Sequence, residues 1–547
     1  MSEGWKPSKA PQESGAAAAP APEPGVFPGA EMFRDEKGEP WARIKMADHF
    51  ENLSIKSEAF KLLVTRRLRE LTGEMPKTSV VKETLRELEG AAMFDGPVHP
   101  VSLRTAAHGN DIYIDLATPD WSAVHVNPDG WSVVTNPPVR FKRTSGTLAL
   151  PIPAHDTQAP EERWLEAADA TEAVTRLFDY VNLPDRASQV LTLAWLVSAL
   201  HPSIPCPILV MNGEQGSAKT TTQTILRLLI DPSGIPLAST PRDERDLVIT
   251  AKHHHLLAFD NLSNISDTFS DALCRMVTGS TFATRQLYTD NDLVTFSGRR
   301  PIMFNGIEHV ATRSDLLDRI ILLTLPTIKS RRSEQAVMQG FTKEAPAIFG
   351  ALLTAMSYGI KFTSKLNFDE ERVPRMADFF EYSTAALLAL GVSTKELHDA
   401  YSENRTELKR VAIENSAAVD VIEWFNRRKP QQFFQQSGSG IHEHQGNQLV
   451  RWRGTYKELL KVSSDFDGRA AGFPKTPRAL AAEMARSQPN LATAGLRLKH
   501  LPREAGTGRR LIEITRIGNF ASGPKEQVTK QKGYNSSQSR EQSSEGS

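Results

Sequence analysis

Hydrophobic positions change their period several times along the chain. Between Ser57 and Gly73, Phe60, Leu63, Val64, Leu68 and Leu71 recur at three- and four-residue steps. That spacing predicts an amphipathic helix, with Ser57 as its N-cap and Gly73 as its stop. TSVVKETLRELEG repeats the pattern with Val81, Leu85 and Leu88. The period then falls to two. VSLRTA, DIYIDLA, AVHV and WSVV read as strands divided by the turn signals HGN and NPDG. Together these elements predict an N-terminal α+β domain over residues 40–150, followed by a helical lead-in over 160–204 that contains the apolar run LTLAWLVSAL.

From Pro205 the pattern alternates. PILVM, IPLAS, HLLAFD, PIMFN and IILLTL read as strands, separated by KTTTQTILRLLI, RDLVITAK and DTFSDALCRMVTG as helices. Alternation of this kind predicts an open, mainly parallel α/β sheet over 205–330. Residues 331–412 read as a helical subdomain, and 413–518 as a C-terminal region. In that region Thr455 and Glu458 form a capping box, and Thr476-Pro477 opens a second helix. NLATAGLRLKHLP and RRLIEITRI follow as two strands. Helix, helix, hairpin is the order of a winged helix. Residues 1–38 and 519–547, rich in Ala, Pro, Ser, Glu and Gly, carry too little periodic apolar surface to offset their ordering entropy and read as disordered.

Composition narrows the class. The 547 residues have room for three or four domains, and 65 basic residues balance 65 acidic ones. Cys206 and Cys274 are the only cysteines, too few for a disulfide framework or a four-cysteine zinc site. Leu191–Leu200, taken as the most apolar stretch, is about half the ~20 residues of a membrane span. The first residues lack the layout of a signal peptide. The expectation is a cytoplasmic protein with no membrane partner.

The candidate chemistry begins at GEQGSAKT, directly after PILVM and directly before a helix. Strand, glycine-rich loop, Lys-Thr and helix in this order describe a phosphate-binding loop. Its residues are Gly213, Glu214, Gln215, Gly216, Ser217, Ala218, Lys219, Thr220 and Thr221. Backbone N–H groups and the helix N-terminus would face the phosphates of ATP. Lys219 would reach the β- and γ-phosphates, and the Thr220 hydroxyl would bind Mg²⁺. Ala218 stands where the motif has its last glycine, and is expected to be tolerated because helical dihedrals begin there. The competing reading is a chance glycine-rich turn.

Asp260 closes the apolar run HHHLLAFD at a strand tip, where an acid would hold Mg²⁺ through water. An ordinary core strand is the alternative. His253, His254 and His255 cannot all face one metal from a strand, because side chains alternate. Asn305 ends PIMFN and could orient an attacking water, or could be a turn residue before Gly306. Arg319, in DLLDRIILL, could stabilise charge on a neighbouring subunit's γ-phosphate, or could pair with Asp315 or Asp318.

The succession GEQGSAKT, LLAFDN, PIMFNG, DLLDR resembles the ATPase core of superfamily 3 helicases, and especially the helicase-like and primase–helicase proteins of phages, plasmids and integrated mobile elements. The resemblance covers roughly residues 205–330. It implies an AAA+ P-loop fold, a homo-hexameric ring with nucleotide pockets between subunits, and Arg319 as the arginine finger, with Arg313 next in line. It also implies a β-hairpin gripping single-stranded DNA in the channel. That hairpin would be Phe282–Phe296, with Arg285 and Tyr288 as contacts. The sequence departs from the family where a second acid often follows Asp260, since Asn261 stands there and an amide takes no proton from water. Glu214 and Asp267 are the nearest acids in sequence. No primase site is read from Asp111 and Asp115, which look like acids on a hairpin strand.

Between Lys475 and Arg516 the chain carries nine bases against three acids, a net +6. Such a field suits phosphate backbones. Arg503, Arg509 and Arg510 flank the glycine-rich tip where a wing would touch duplex DNA. A protein-binding winged helix is the alternative. These readings predict an ATP-hydrolysing, helicase-like replication protein of a mobile element. The alternative is an ATP-switched initiator or loader that unwinds little, and a metabolic P-loop kinase stands further off.

Overall fold

The structure is a computed structural model that describes residues 25–154, 167–262, 265–285, 293–296, 298–306, 314–368, 374–414, 441–445, 448–464, 474–493, 496–504 and 508–517. The expected disordered tail 519–547 lies outside them. The expected disordered start, 1–38, does so only as far as residue 24.

The chain divides into two compact units. In the first, strands β1 (Glu31–Arg34), β2 (Pro40–Met46) and β3 (His49–Ser54) form an antiparallel sheet in that order. The strand at Glu31–Arg34 corrects the reading of 1–38 as disordered. Met32 and Phe33, adjacent in that strand, are both buried, and Phe27 is buried as well. Helix α1 (Glu58–Thr72) begins where expected, with the Ser57 hydroxyl accepting from Phe60 N at 3.2 Å, and ends at Gly73 with φ 78°. Helix α2 (Thr78–Gly90) follows. Strand β4 (Val101–Ser102) pairs in parallel with Arg140–Phe141.

The unit expected over 40–150 is divided. Strands β5 (Thr105–His108), β6 (Asp111–Asp115), β7 (Ala123–Asn127) and β8 (Gly130–Val134) form a four-stranded sheet in chain order, lying almost wholly in the second unit. The reason is long-range. Arg104, fully buried, donates to Asp231 Oδ1 at 3.0 Å, to Asp115 O at 2.9 Å and to Leu148 O at 3.0 Å. Asp231 also accepts from the backbone of His255 and Leu256, at 3.0 and 3.1 Å. A buried guanidinium must be paired and hydrogen-bonded, so these strands are tied to the segment after Leu229. Asp115 is buried and its Oδ1 accepts from Ala117 N, whereas Asp111 is half-exposed against His125 Nε2 at 2.8 Å. Both acids lie on a hairpin strand as read, but an exposed position is corrected at Asp115, which is buried.

After β9 (Arg140–Phe141) come helices α3 (Ala167–Thr175) and α4 (Arg186–Ala199). Then strands β10 (Ile208–Asn212), β11 (Ala238–Ser239) and β12 (Leu257–Asp260) alternate with helices α5 (Lys219–Leu228), α6 (Glu244–His253) and α7 (Asp267–Thr278). The hairpin β13 (Phe282–Arg285) and β14 (Leu293–Phe296) precedes β15 (Ile302–Asn305), the four-residue turn α8 (Ser314–Leu317) and β16 (Ile320–Thr324). The five-stranded sheet runs β11-β12-β15-β10-β16, every pair parallel. Apart from the short edge strand β11, its strands are buried on both faces, as expected of a parallel sheet covered by helices. At the edge, Asn404 Oδ1 accepts from Leu322 N at 3.1 Å, and its Nδ2 donates to Leu322 O at 2.6 Å.

Helices α9 (Glu334–Phe362), α10 (Ala377–Leu387) and α11 (Thr394–Glu414) complete the core. Among the described residues one helix, 334–365, is long and apolar enough to cross a bilayer by length and composition, and 67% of its apolar window is buried inside the unit.

The C-terminal module holds more than the expected helix–helix–hairpin. Strands β17 (Ile441–Gln445) and β18 (Gln448–Gly454) precede α12 (Tyr456–Ser464) and α13 (Pro477–Thr493), then β19 (Leu496–Arg503) and β20 (Arg510–Arg516). All four strands make one antiparallel sheet of order β17-β18-β20-β19. The capping box forms as read: Thr455 N donates to Glu458 Oε2 at 2.7 Å, and Glu458 N to Thr455 Oγ1 at 3.3 Å.

Candidate functional site

The loop after β10 leaves the carboxyl end of the sheet between β15 and β16, where the strand order reverses. Open α/β sheets bind ligands at such switch points. Gly213 has φ 147°, and a Cβ there would meet Leu325 O at 2.6 Å and Ser217 Oγ at 2.7 Å. Gly216 has φ 86°, and a Cβ there would meet the Arg331 Nη2 at 2.9 Å. Gly213 therefore needs glycine for conformation and for space, and Gly216 needs it for conformation, since the exposed tip of Arg331 can move aside.

Lys219 opens α5, and its Nζ donates to Gly213 O at 2.6 Å and to Glu214 O at 3.0 Å. Ala218, just before it, has φ 60° and ψ 32°. The expectation that helical dihedrals begin at this residue is corrected: it is left-handed, where a Cβ costs about 1–2 kcal/mol. Within the loop Ser217 is 1% exposed, and its Oγ has no hydrogen-bond partner among the described residues. An orphaned hydroxyl, two glycines with positive φ and a lysine on a helix N-terminus make a donor set that fits a polyphosphate. Thr220 is exposed on the first turn, beside Thr221.

The residues that hold this loop and the helix after it were not read from the sequence. Asn182 Nδ2 donates to Ser217 O at 2.9 Å and to Pro326 O at 2.6 Å, joining the loop to the segment after β16. From that segment Ile328 N donates to Gly216 O at 3.3 Å, and Thr327 Oγ1 to Glu214 Oε2 at 3.3 Å. The same segment brings in Arg331, whose exposed guanidinium lies against Gly216. Gln223, on the buried side of α5, donates to Phe259 O at 3.0 Å and Met303 O at 3.3 Å. A polar residue on the buried stripe of an amphipathic helix was the only available signal for Gln223.

Asp260 ends β12, partly exposed, and Asn305 ends the neighbouring β15. Asn305 is 2% exposed; its Nδ2 donates to Gln223 Oε1 at 2.6 Å, and its Oδ1 accepts from Asn261 N at 2.7 Å. The amide thus ties α5 to the turn after Asp260. Asn261 sits at φ 55° with an exposed side chain. Glu214 is held by Thr327, and Asp267 opens α7.

Arg319, partly buried, donates to Asp315 O and approaches Cys274 Sγ on α7 at 3.9 Å. Asp318 pairs instead with Arg375, at 3.1 Å, and with Arg405. Arg313 and Tyr288 lie outside the described residues. Of Arg285 only the backbone is described, paired with Leu293. The hairpin's base is anchored: Arg275 lies 4.7 Å from the Phe282 ring and Arg300 5.2 Å from the Phe296 ring.

Of the three histidines, His255 is part of the scaffold, whereas His253 is exposed. His255 is buried with Nε2 on Ala199 O at 2.9 Å, and burial pulls its pKa from 6.5 down to about 4. No group of three metal-ligating side chains occurs among the described residues.

At the module's hairpin tip, Arg509 forms an ion pair with Glu458 at 2.5 Å. Arg503 and Arg510 lie opposite each other in register, both exposed.

Residues 174–407 match the family described as the actinomycete integrative conjugative element replication protein. Residues 440–532 match the AICE RepA C-terminal domain. No curated protein matches the chain. Among solved structures, apo forms of the NrS-1 C-terminal region align at 12–13% identity, with TM-scores of 0.35 to 0.37, over 90% of this chain and 96% of theirs. The two family matches follow one another in chain order and together take in more than half of the residues, so the protein belongs to the replication proteins of actinomycete integrative conjugative elements.

Proposed function

We propose that the protein is an ATP-hydrolysing, helicase-like motor for replication of the element's DNA, of AAA+ type, with ATP held at residues 213–221. The observation that carries the reading is the loop after β10, with its two obligate glycines, its orphaned Ser217 hydroxyl and Lys219 on the first turn of α5. ATP with Mg²⁺ would supply the phosphoanhydride bond that is cleaved. The chain's own residues do the rest. Loop N–H groups and the α5 N-terminus orient the phosphates, and Lys219 brings a point charge to the β- and γ-phosphates. Thr220 and Asp260 are the residues to hold the metal, directly and through water. Arg331 adds positive charge from the same chain. Asn305 acts by fixing the turn that carries Asp260 and Asn261.

The reading extends to a hexameric ring in which Arg319 serves the neighbouring subunit's site. Its bond to Asp315 O would have to open, because the guanidinium now lies against α7. A winged-helix role for the C-terminal module belongs to the same proposal.

A second reading is an ATP-switched initiator with slow hydrolysis. It is favoured by Asn261, a left-handed amide standing where an acid would activate water. Measuring ATP turnover with and without single-stranded DNA separates the two. Turnover stimulated by DNA supports the motor. Binding of ATP with turnover below about one per minute, on a scale where enzymes typically reach 1–10³ s⁻¹, supports the switch.

A further inference from the structure

The C-terminal sheet has one face covered and one face open. Leu496, Leu498, Ile512, Ile514 and Trp452 are buried with Leu459 of α12 and with Leu480, Met484 and Leu491 of α13. Side chains alternate along a strand, so Arg451 and Arg453 of β18, Arg497 and Lys499 of β19, and Glu513 and Thr515 of β20 point the other way. The register sets them side by side: Arg451 and Arg497 both lie opposite Thr515, and Arg453 and Lys499 both lie opposite Glu513. Four cations thus surround one carboxylate on the open face. Glu513 holds Arg453 at 2.7 Å and Arg451 at 4.0 Å. Arg497 and Lys499 are exposed and have no acidic partner among the described residues.

The second helix of the module is poorly placed for the role it has in a helix-turn-helix, where it enters the major groove. Here α13 packs against α11 and α8. Its exposed positions include Arg478 in the first turn, but Ala479, Ala482 and Ala485 beyond it offer no hydrogen bond to a base edge. The expected tip contact is also weakened, since Arg509 is engaged by Glu458.

We propose that the open face of this sheet, centred on Arg497 and Lys499 with Arg451 and Arg453, is a binding surface for the phosphate backbone of duplex DNA. Two cations per strand at i and i+2 stand about 6.8 Å apart, and the outer strands stand about 9.6 Å apart across β20. This is a grid of point charges with no aromatic side chain among its described positions. Single-strand binders stack bases on aromatic rings. A face without rings meets backbone only, so it favours the duplex and ignores sequence. The proposal rests on the chain's acting on DNA, and not on its hydrolysing ATP.

The test uses the full chain and a fluorescent duplex of arbitrary sequence, titrated at several salt concentrations. Arg497→Ala/Lys499→Ala is expected to weaken binding about tenfold or more near 0.1 M salt. It should also lower the salt slope by about 2, at about 0.9 for each phosphate that is no longer neutralised. Arg503→Ala/Arg510→Ala should lower it less, and a single strand of the same length should bind the wild type more weakly than the duplex. Both variants should keep wild-type thermal melting, because their side chains are exposed and, among the described residues, unpaired. Unchanged affinity and slope in Arg497→Ala/Lys499→Ala, or a wild type that does not bind duplex, overturns the proposal. Loss of ATP turnover in Lys219→Ala with duplex binding intact would leave it standing, which separates its fate from that of the nucleotide site.

Discussion

The 213–221 loop and the open face of the C-terminal sheet are both suited to phosphate, by opposite means. The loop has one lysine and relies on backbone shape: Gly213, Gly216 and Ala218 all have positive φ, and Asn182 clamps the loop from outside. The sheet face has extended strands with unremarkable backbone, and relies on four long cations placed by register. A site made from shape fails at a single residue. A site made from summed charge loses strength in steps. The two regions should therefore answer mutation differently.

The largest expected effect is at Lys219. Lys219→Ala should lower ATP turnover by orders of magnitude, because the main charge on the β- and γ-phosphates is gone, with duplex affinity unchanged. Steady-state hydrolysis and DNA titration on the same preparation check both halves. A variant with wild-type turnover breaks the comparison at its first term.

Next is Arg319. If it serves the neighbouring site, Arg319→Ala should cost up to about 10³–10⁵ in turnover. Mixing it with Lys219→Ala subunits should restore part of the activity, since some interfaces then pair both intact residues. Full activity of assembled Arg319→Ala would make it a structural partner of Asp315 and Cys274.

Gln223 tests how far shape extends behind the loop. Gln223→Leu removes the side-chain acceptor of the buried Asn305 Nδ2 and the donor shared by Phe259 O and Met303 O. A loss of about 2–3 kcal/mol in urea unfolding is expected. Turnover should fall too, because Asn305 positions the turn after Asp260.

Acid should act on the same scaffold. Burial holds His201 and His255 at about 4, below the 6.5 of a free imidazole, so both stay neutral in the fold. The unfolded chain takes up their protons first as pH falls below 6.5. Stability should therefore be greatest above that pH and decline toward pH 4. Thermal melting across that window checks the sign; a melting point that rises on acidification would contradict it.

The smallest effect is at Ala218. Ala218→Gly should stabilise the fold by up to about 1 kcal/mol and leave turnover intact, since glycine adopts the left-handed conformation without strain. Both chemical melting and turnover would register a wrong assignment.

The sequence made the glycines, Lys219 and Asp260 legible because their spacing follows directly from a strand–loop–helix backbone. Asn182, Gln223 and Arg331 were not legible, because they reach the loop from other elements and each looks like an ordinary polar residue. Ala218 was misread because a methyl group's size said nothing about its dihedral. The hairpin β17–β18 was missed because HEHQGNQ offers a turn but little apolar alternation. Likewise β5 to β8 were read as strands, yet their attachment depends on Arg104 finding Asp231, 127 positions away.

Asn404 has a consequence for how copies of this chain can meet. Its amide presents to Leu322 the donor and acceptor that a further strand would offer, so the sheet is terminated at β16 by a side chain. Copies cannot zip together there into a continuous ribbon. Contacts made near that rim would be side chain to side chain, and a joint of that sort can slide, loosen and re-form without tearing a ladder of main-chain bonds.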